Sequence, residues 1–502
     1  MWDLLWVFLI SLGSCLLLTP MVRKLAHLIG LLDHPDGRRK IHAKTTPVAG
    51  GLAILAASII SLLLSLLLSD FTRQNITNDW AFLVSLLVAS VAICLLGVLD
   101  DYGKLRGRYK LVGQTLIVLF VVAMGVRVDQ FRIFGFNLEL SWLAVPFTAF
   151  WLLGAINSLN LLDGLDGLLS VIAIIITLGF ALVAGLNNAW TAAIVAWVLT
   201  GALMGFLRYN YPPASIFLGD SGSMLIGLTI GVLAIKSSLK GSAMIGLGAP
   251  LAIMTIPIMD TLAAIVRRKL TGRSIYTTDR GHLHHCMLSR GLTNKHILAC
   301  VAALCGLTVI GGLASTYLKT EILALLAGFV VFLILVSTKL FGYVELNLIK
   351  TSLAHRTQRL FFHKSKDVPQ ELHLYLQGKA EWSELWRRLT ARAEEMAFVR
   401  IKLDVNAPAM HEAYHARWDR PWKMSEQNNL WEMAIPIAIQ GNIVGRLELA
   451  GVRDLDMFWE KLAKVAALVE EFETGIFTCL QTPTPSNQPK PKTSSELAIG
   501  LK

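Results

Sequence analysis

Asn157, Asn160, Asp163 and Asp166 recur at every third position of Asn157-Ser-Leu-Asn160-Leu-Leu-Asp163-Gly-Leu-Asp166-Gly. If this stretch begins or ends a helix, Asp163 and Asp166 share a face with Asn160, and Gly164 and Gly167 let a ligand approach the backbone. Converging amides and carboxylates could grip one polar ligand. They could equally cap the next helix. Asp100 and Asp101 form a second acidic site, followed by Lys104. Adjacent residues of a helix point in different directions, so this pair should not clamp a single ion; one carboxylate could act on substrate while the other orients Lys104. A juxtamembrane charge cluster satisfied by lipid headgroups is the plain alternative.

Phe217-Leu-Gly219-Asp220-Ser221-Gly222-Ser223 isolates one carboxylate between glycines and hydroxyls, just before an apolar run. Asp220 could hold Mg²⁺, with substrate phosphates and water completing an octahedron, and the amides of a helix start suit an anion. An ordinary N-cap would use the same residues. Asp279-Arg280-Gly281-His282-Leu283-His284-His285 follows the basic Arg267-Arg268-Lys269. Arginine and histidine donate naturally to phosphates. His282, His284, His285 and Cys286 match no strong zinc spacing, and the carboxylates elsewhere favour a harder ion.

The elements that must position these groups are membrane spans. Of 502 residues, 54% are hydrophobic and only 16% charged, with a mean hydropathy of +0.57. That is too apolar for an ordinary soluble domain. Apolar runs lie near residues 3–22, 48–68, 80–98, 111–126, 140–157, 168–186, 189–207, 222–236, 243–265, 296–317 and 321–341, several about 20 residues long, as spanning helices require. The expected fold is therefore an all-α polytopic membrane protein of about 11 transmembrane helices. The chemistry-bearing motifs fall in alternate gaps, hence on one side. Those gaps carry eighteen Lys and Arg against six in the opposite gaps, which makes the motif face cytoplasmic and the N-terminus external. The first run has no strongly basic leader and no clear cleavage site, so it reads as an uncleaved span.

Topology and anionic headgroups account for most of the net charge of +11, so nucleic-acid binding is a poor inference. Six cysteines form no CxxC pair, and no disulfide framework follows. A transporter would place ionisable groups within spans or at broken helices, whereas these acids sit at span ends. A degenerate core anchoring a sensor domain conflicts with the intact motifs.

These motifs, in this order and on alternate loops, resemble the polyprenyl-phosphate N-acetylhexosamine-1-phosphate transferase family, glycosyltransferase family 4, over roughly residues 1–340. The resemblance implies a multi-pass protein of the bacterial plasma (inner) membrane, with active site and C-terminal domain cytoplasmic. It implies that Asp100, Asp101, Lys104, Asp163 and Asp166 are catalytic, with Asn157 and Asn160 at the nucleotide and active site. Asp220 becomes the Mg²⁺ ligand, Mn²⁺ being the expected substitute, and Asn210 and Phe217 lie near the uracil. Lys44 and the stretch Thr46-Pro47 to Gly50-Gly51 match the first cytoplasmic loop. His282, His284 and His285, with Arg280, should face the sugar or diphosphate. The spacing DRGHLHH resembles the N-acetylglucosamine-type branch, since peptidoglycan translocases usually carry three consecutive histidines.

The expected reaction is transfer of N-acetylglucosamine-1-phosphate from UDP-N-acetylglucosamine to undecaprenyl phosphate with release of UMP, starting a lipid-linked envelope glycan. The alternative is the phospho-N-acetylmuramoyl-pentapeptide transferase of peptidoglycan synthesis. Because two anions must meet, positioning and charge neutralisation should supply most of the catalysis, with Asp100 or Asp101 able to take a proton from the lipid phosphate. A phosphosugar-aspartate intermediate has no separate support. Expected partners are the UDP-sugar, the polyprenyl phosphate and a second copy of the chain, with no nucleic acid.

Residues 1–342 are expected to form the transferase domain, 343–480 a small cytoplasmic α+β domain, and 481–502 a disordered tail rich in Pro and Lys. The second segment has an amphipathic stretch around Glu381–Leu389, strand-like runs at Phe398 and Met433, a hairpin signal at Gly441-Asn442, and a helix from about Asp456 to Phe477. It faintly resembles ligand-sensing modules of the GAF kind, though an interaction module fits as well.

Overall fold

The computed structural model describes residues 2–347 apart from 34–44, 104, 134–135, 241–243 and 272–280. Beyond them it describes chiefly 370–377, 382–396, 398–407, 412–420, 430–439 and 442–452. Two units result. The first, Met1–Asp36, Lys40–Lys269 and Ser274–Asn347, is almost all helix. It runs α1 (Trp2–Leu28), β1 (Leu32–Asp33), β2 (Thr46–Pro47), α2 (Gly50–Leu68), α3 (Asp70–Asn78), α4 (Trp80–Asp101) and α5 (Gly107–Ala123). There follow β3 (Gln130–Ile133), β4 (Phe136–Glu139), α6 (Ala144–Leu162), α7 (Leu168–Leu186), α8 (Trp190–Asn210) and α9 (Gly219–Lys236). The unit closes with β5 (Leu239–Lys240), β6 (Met244–Gly246), α10 (Gly248–Ile253), α11 (Thr255–Thr271), α12 (Leu283–Ser289), α13 (Asn294–Leu318) and α14 (Ile322–Ser337).

Among the described residues seven helices are long and apolar enough to cross a membrane: α1, α2, α4, α6 with its preceding turn, α7, α8 and α13. The chain is thus a multi-pass membrane protein. The expected number of about eleven is not reached by this measure. α5 and α14 have only 17 and 16 residues, and α9 begins and ends on charges, Asp220 and Lys236. The apolar run 243–265 is no single span either. Pro257 has no N–H to offer the carbonyl of Ile253, so α10 stops there and α11 starts afresh at Thr255.

α9 is the axis of this unit, buried from Ser221 to Ile235 and flanked by α2, α4 and α6. Such close packing depends on glycine. A Cβ on Gly97 of α4 would lie 2.3 Å from Cα of Ser221, and one on Gly51 of α2 would lie 2.4 Å from the backbone nitrogen of Gly222. Two helices therefore touch the start of α9 backbone to backbone, as membrane helices do through small residues. α1 packs on α8 and α2, and α7 lies between α8 and α13.

The second unit includes Leu348–Lys502. It holds β7 (Gln370–Gln377), α15 (Trp382–Glu395), β8 (Phe398–Ala407), β9 (Glu412–Asp419), β10 (Leu430–Ile439) and β11 (Asn442–Val452). The strands form an antiparallel sheet in the order β10-β11-β8-β9-β7. The apolar stripe of α15, Leu385, Trp386 and Leu389, packs in one core with Ile401, Leu403, Tyr414 and Trp418. Ile439 stands opposite Asn442, closing the β10–β11 hairpin. The helix expected at Asp456–Phe477 lies largely outside the described residues, as does the tail from Thr482.

Gly97→Ala forces a methyl into the backbone of α9 and should destabilise the protein by about 1–3 kcal/mol. Gly154→Ala, with nothing within 4 Å of its Cβ position, should leave it unchanged or slightly more stable. Thermal unfolding of the detergent-purified variants measures both; equal midpoints would contradict the packing described.

Candidate active site

The start of α9 is where the sequence motifs meet. Gly219 has φ +70°, and the next two amides, which lack helical partners, are taken by a side chain from another helix. Asp101 Oδ1 accepts from the Asp220 N–H at 2.8 Å and Asp101 Oδ2 from the Ser221 N–H at 3.2 Å. Asp101 is thus a cap supplied in space rather than in sequence. The preceding residue faces elsewhere, as adjacent helical positions must. Asp100 Oδ2 lies 2.7 Å from Lys110 Nζ, and the same ammonium lies 3.1 Å from Asp220 Oδ1. Two carboxylates from α4 and α9 thereby share one cation from α5. Lys104, expected to pair with an aspartate, lies outside the described residues, as do Lys44 and Arg280.

Asn160 joins this group from α6, its amide nitrogen donating to Asp220 Oδ1 and, at 2.8 Å, to Ser223 Oγ. One turn earlier, Asn157 donates to Gln114 Oε1 at 3.0 Å, while Gln114 Nε2 reaches the Met224 sulfur. The triplet spacing therefore works as a helical face for Asn157 and Asn160 only. α6 ends at Leu162 and α7 begins at Leu168 after Gly167 at φ +73°, so Asp163 and Asp166 sit in the intervening turn. Asp166 accepts from the Ala214 N–H at 2.9 Å. Asp163 is only partly covered as a residue, yet burial of its carboxyl, then the charges of Asp220, Asp101 and Asp166, push it up to about 8.

Asn210 has an internal role. Its Oδ1 accepts from the Gly167 N–H at 3.1 Å and Ser170 Oγ at 2.8 Å, and its amide donates to the Ile216 carbonyl at 3.0 Å. It stitches the loop before α9 to the start of α7. Phe217 pairs by backbone with the first motif loop, its N–H donating to the Pro47 carbonyl at 2.8 Å and its carbonyl accepting from Gly50 at 3.0 Å. Thr46–Gly51 is thus held beside Asp220.

His284 approaches the same turn from α12: a Cβ on Gly164 would lie 2.3 Å from His284 Nε2. His284 is buried, and among the described residues neither ring nitrogen has a hydrogen-bond partner. Burial, with the neighbouring His285 and His282, holds it well below the usual imidazole range. The rings of His284 and His285 are 4.2 Å apart, and His282 lies nearly parallel to His284 at 6.2 Å. Arg267 of α11 packs beside the residue that precedes His282. It is buried in an ion pair with Glu345 and packs where a Gly281 side chain would stand.

Two functional candidates escaped the sequence reading. Lys110 looked like one more topology-setting cation, and only the fold brings it between Asp100 and Asp220. Asp260, at the His282 ring, lay inside an apolar run, where a lone carboxylate is itself a signal. Among the described residues no group of three or more His, Cys, Asp or Glu is arranged to hold a metal ion. The oxygens of Asp100 and Asp220, already facing one cation, nonetheless suit a hard ion that keeps water and phosphate ligands.

The profile described as Glycosyl transferase family 4 matches residues 83–238. A probable undecaprenyl-phosphate N-acetylglucosaminyl 1-phosphate transferase of Bacillus subtilis is 31% identical over 290 residues, covering 57% of this chain and 78% of that protein. A decaprenyl-phosphate N-acetylglucosaminephosphotransferase of Mycobacterium tuberculosis is 30% identical over 322 residues, covering 60% and 79%. A phospho-N-acetylmuramoyl-pentapeptide-transferase of a Thermoanaerobacter species is 32% identical over 301 residues, covering 56% and 88%.

An Asp163 carboxyl raised from 3.8 to about 8 keeps a proton that the unfolded chain has already lost. Its stabilising contribution is complete below the unfolded value and disappears as pH rises through the folded one. Asp163→Asn should therefore unfold at the wild-type temperature near pH 4 and at a higher temperature at pH 9. A constant difference between the two proteins across that range would contradict the enclosed carboxyl.

Proposed function

The chain belongs to glycosyl transferase family 4, and from that membership we propose that it transfers N-acetylglucosamine-1-phosphate from UDP-N-acetylglucosamine to undecaprenyl phosphate, releasing UMP. The observation that carries this reading is the meeting of Asp100, Asp220, Asn160 and Lys110 at the start of α9, beside the turn that holds Asp163. A reaction between two phosphates needs cationic and amide donors to hold them in line and a carboxylate to take a proton. Lys110 and Asn160 supply donors. Asp100 supplies the acceptor, whereas Asp101 is committed to the α9 amides and Asp163 keeps its own proton up to about pH 8. His282, His284 and His285, with Lys44, Lys104 and Arg280, would surround the sugar and diphosphate. Asn157 fixes the α5–α6 contact behind them, and Asn210, Phe217 and Asp166 shape the nucleotide side.

Asp220, with Asp100 beside it, would hold Mg²⁺ in exchange for the Lys110 ammonium. When bound, Mg²⁺ neutralises charge on the donor's phosphate oxygens. Both N-acetylglucosamine relatives carry the sugar in their names, and the DRGHLHH spacing supports the same donor. The proposed setting is the bacterial inner membrane, with about eleven helices crossing or entering it and the motif face cytoplasmic. Residues 1–342 would be the transferase and 343–480 a cytoplasmic domain of separate role.

Purified protein supplied with labelled UDP-N-acetylglucosamine and undecaprenyl phosphate should form labelled lipid and UMP only when Mg²⁺ is present. Asp220→Ala and Lys110→Met should each lower kcat by at least about a hundredfold. Product from the muramyl-pentapeptide nucleotide alone would move the donor assignment, and an active Asp220→Ala enzyme would overturn the site.

A further inference from the structure

Asp260 lies in α11, within a stretch otherwise apolar, and is 1% exposed. A carboxylate so enclosed must have both oxygens engaged. Its Oδ2 stands 2.6 Å from His282 Nδ1, and its Oδ1 accepts from the Leu283 N–H at 2.7 Å. Leu283 is the first residue of α12 and His282 its N-cap, with extended backbone angles. One buried side chain therefore fixes both the backbone that starts the histidine helix and the ring of its first histidine. A carboxylate only accepts hydrogen bonds, so the ring nitrogen facing it must carry the proton. Nε2 of His282 makes no hydrogen bond among the described residues.

We propose that Asp260 is a positioning residue, holding His282 in the Nδ1–H tautomer so that Nε2 accepts a hydrogen bond from a hydroxyl or amide N–H of the substrate's sugar rather than facing its diphosphate. The ring's place supports this. It lies parallel to His284, which abuts Gly164 in the turn of Asp163. The inference rests on the transferase reading for its substrate and on the Asp260–His282 pair alone for its tautomer.

Asp260→Asn separates positioning from capping. The asparagine oxygen can still accept from Leu283, while its amide donates to Nδ1 and turns His282 into the Nε2–H form. In folded protein labelled with ¹⁵N-histidine, the His282 ring should read as Nδ1–H in the wild type and Nε2–H in Asp260→Asn. The kcat/KM for UDP-N-acetylglucosamine should fall roughly ten- to a hundredfold in Asp260→Asn. In a His282→Gln background the same substitution should change it by less than about twofold. Should Asp260→Asn not fold, Asp260→Glu keeps the accepting carboxylate but moves it, so the ring should stay Nδ1–H while any loss in kcat/KM disappears in the His282→Gln background. An Nε2–H ring in the wild type, or losses that multiply in the double variant, would overturn the proposal. A wild-type chain with the expected ring but no transfer would instead refute the transferase reading.

Discussion

Asp101 commits both carboxylate oxygens to the Asp220 and Ser221 amides at the start of α9, and the geometry of the site follows from that bond pair. A helix that starts inside a protein leaves unpaired N–H groups, and each one left without a partner away from water is expensive. Here the partner belongs to a different helix, so α4 and α9 are locked in register. The lock requires near contact. Gly97 and Gly51 are present where any side chain would strike the α9 backbone, and a side chain on Gly219 would strike the Asp101 carboxylate itself. With Asp101 turned toward the amides, Asp100 is turned away from them, toward Lys110 and Asp220. A pair of aspartates that looks redundant in sequence thus has divided duties.

The same arrangement explains why so much negative charge tolerates confinement. Asp100, Asp101, Asp163 and Asp220 come from three parts of the chain, and their mutual repulsion raises the cost of each. Lys110 answers two of them and Asn160 a third contact, while the amides of α9 answer Asp101. Among the described residues Asp163 has no such answer, and burial together with the neighbouring charges raises its titration. Among the described residues one ammonium, Lys110, thus stands between the carboxylates of Asp100 and Asp220 and offsets part of a repulsion that no nearer cation relieves.

How much of this could be read from the chain itself depended on whether the information was local. The motif order and the apolar bodies of α6 and α9 follow from residue type and short spacing, and the B. subtilis and M. tuberculosis relatives agree with the family those motifs suggested. The break between α10 and α11 was also written locally, in Pro257, but hydropathy averaged over a window hides it. Partnerships across distance were not legible. Nothing near Asn210 indicates that its side chain would be taken up by Gly167, Ser170 and Ile216, and nothing near Lys110 sets it apart from neighbouring loop cations. The i,i+3 reading of Asp163 and Asp166 failed for a physical reason: Gly164 and Gly167 end the helix before the face can form.

Asp260 shows what an apolar run conceals. A lone carboxylate among Ile, Met and Leu contributes nothing to a span and costs a great deal unless satisfied, so its presence implies a fixed polar partner. The partner proves to be the start of a short helix whose His284 lies against the turn of Asp163. Two carboxylates in this protein, Asp101 and Asp260, thus perform the same physical task from different helices: each accepts from the backbone at a helix start and thereby fixes a neighbouring side chain that faces the site. For a reaction in which two anions must be held in line, rigidity of the groups around them matters more than their number. Buried carboxylates bonded to backbone amides are the means by which this membrane fold obtains that rigidity next to hydrocarbon.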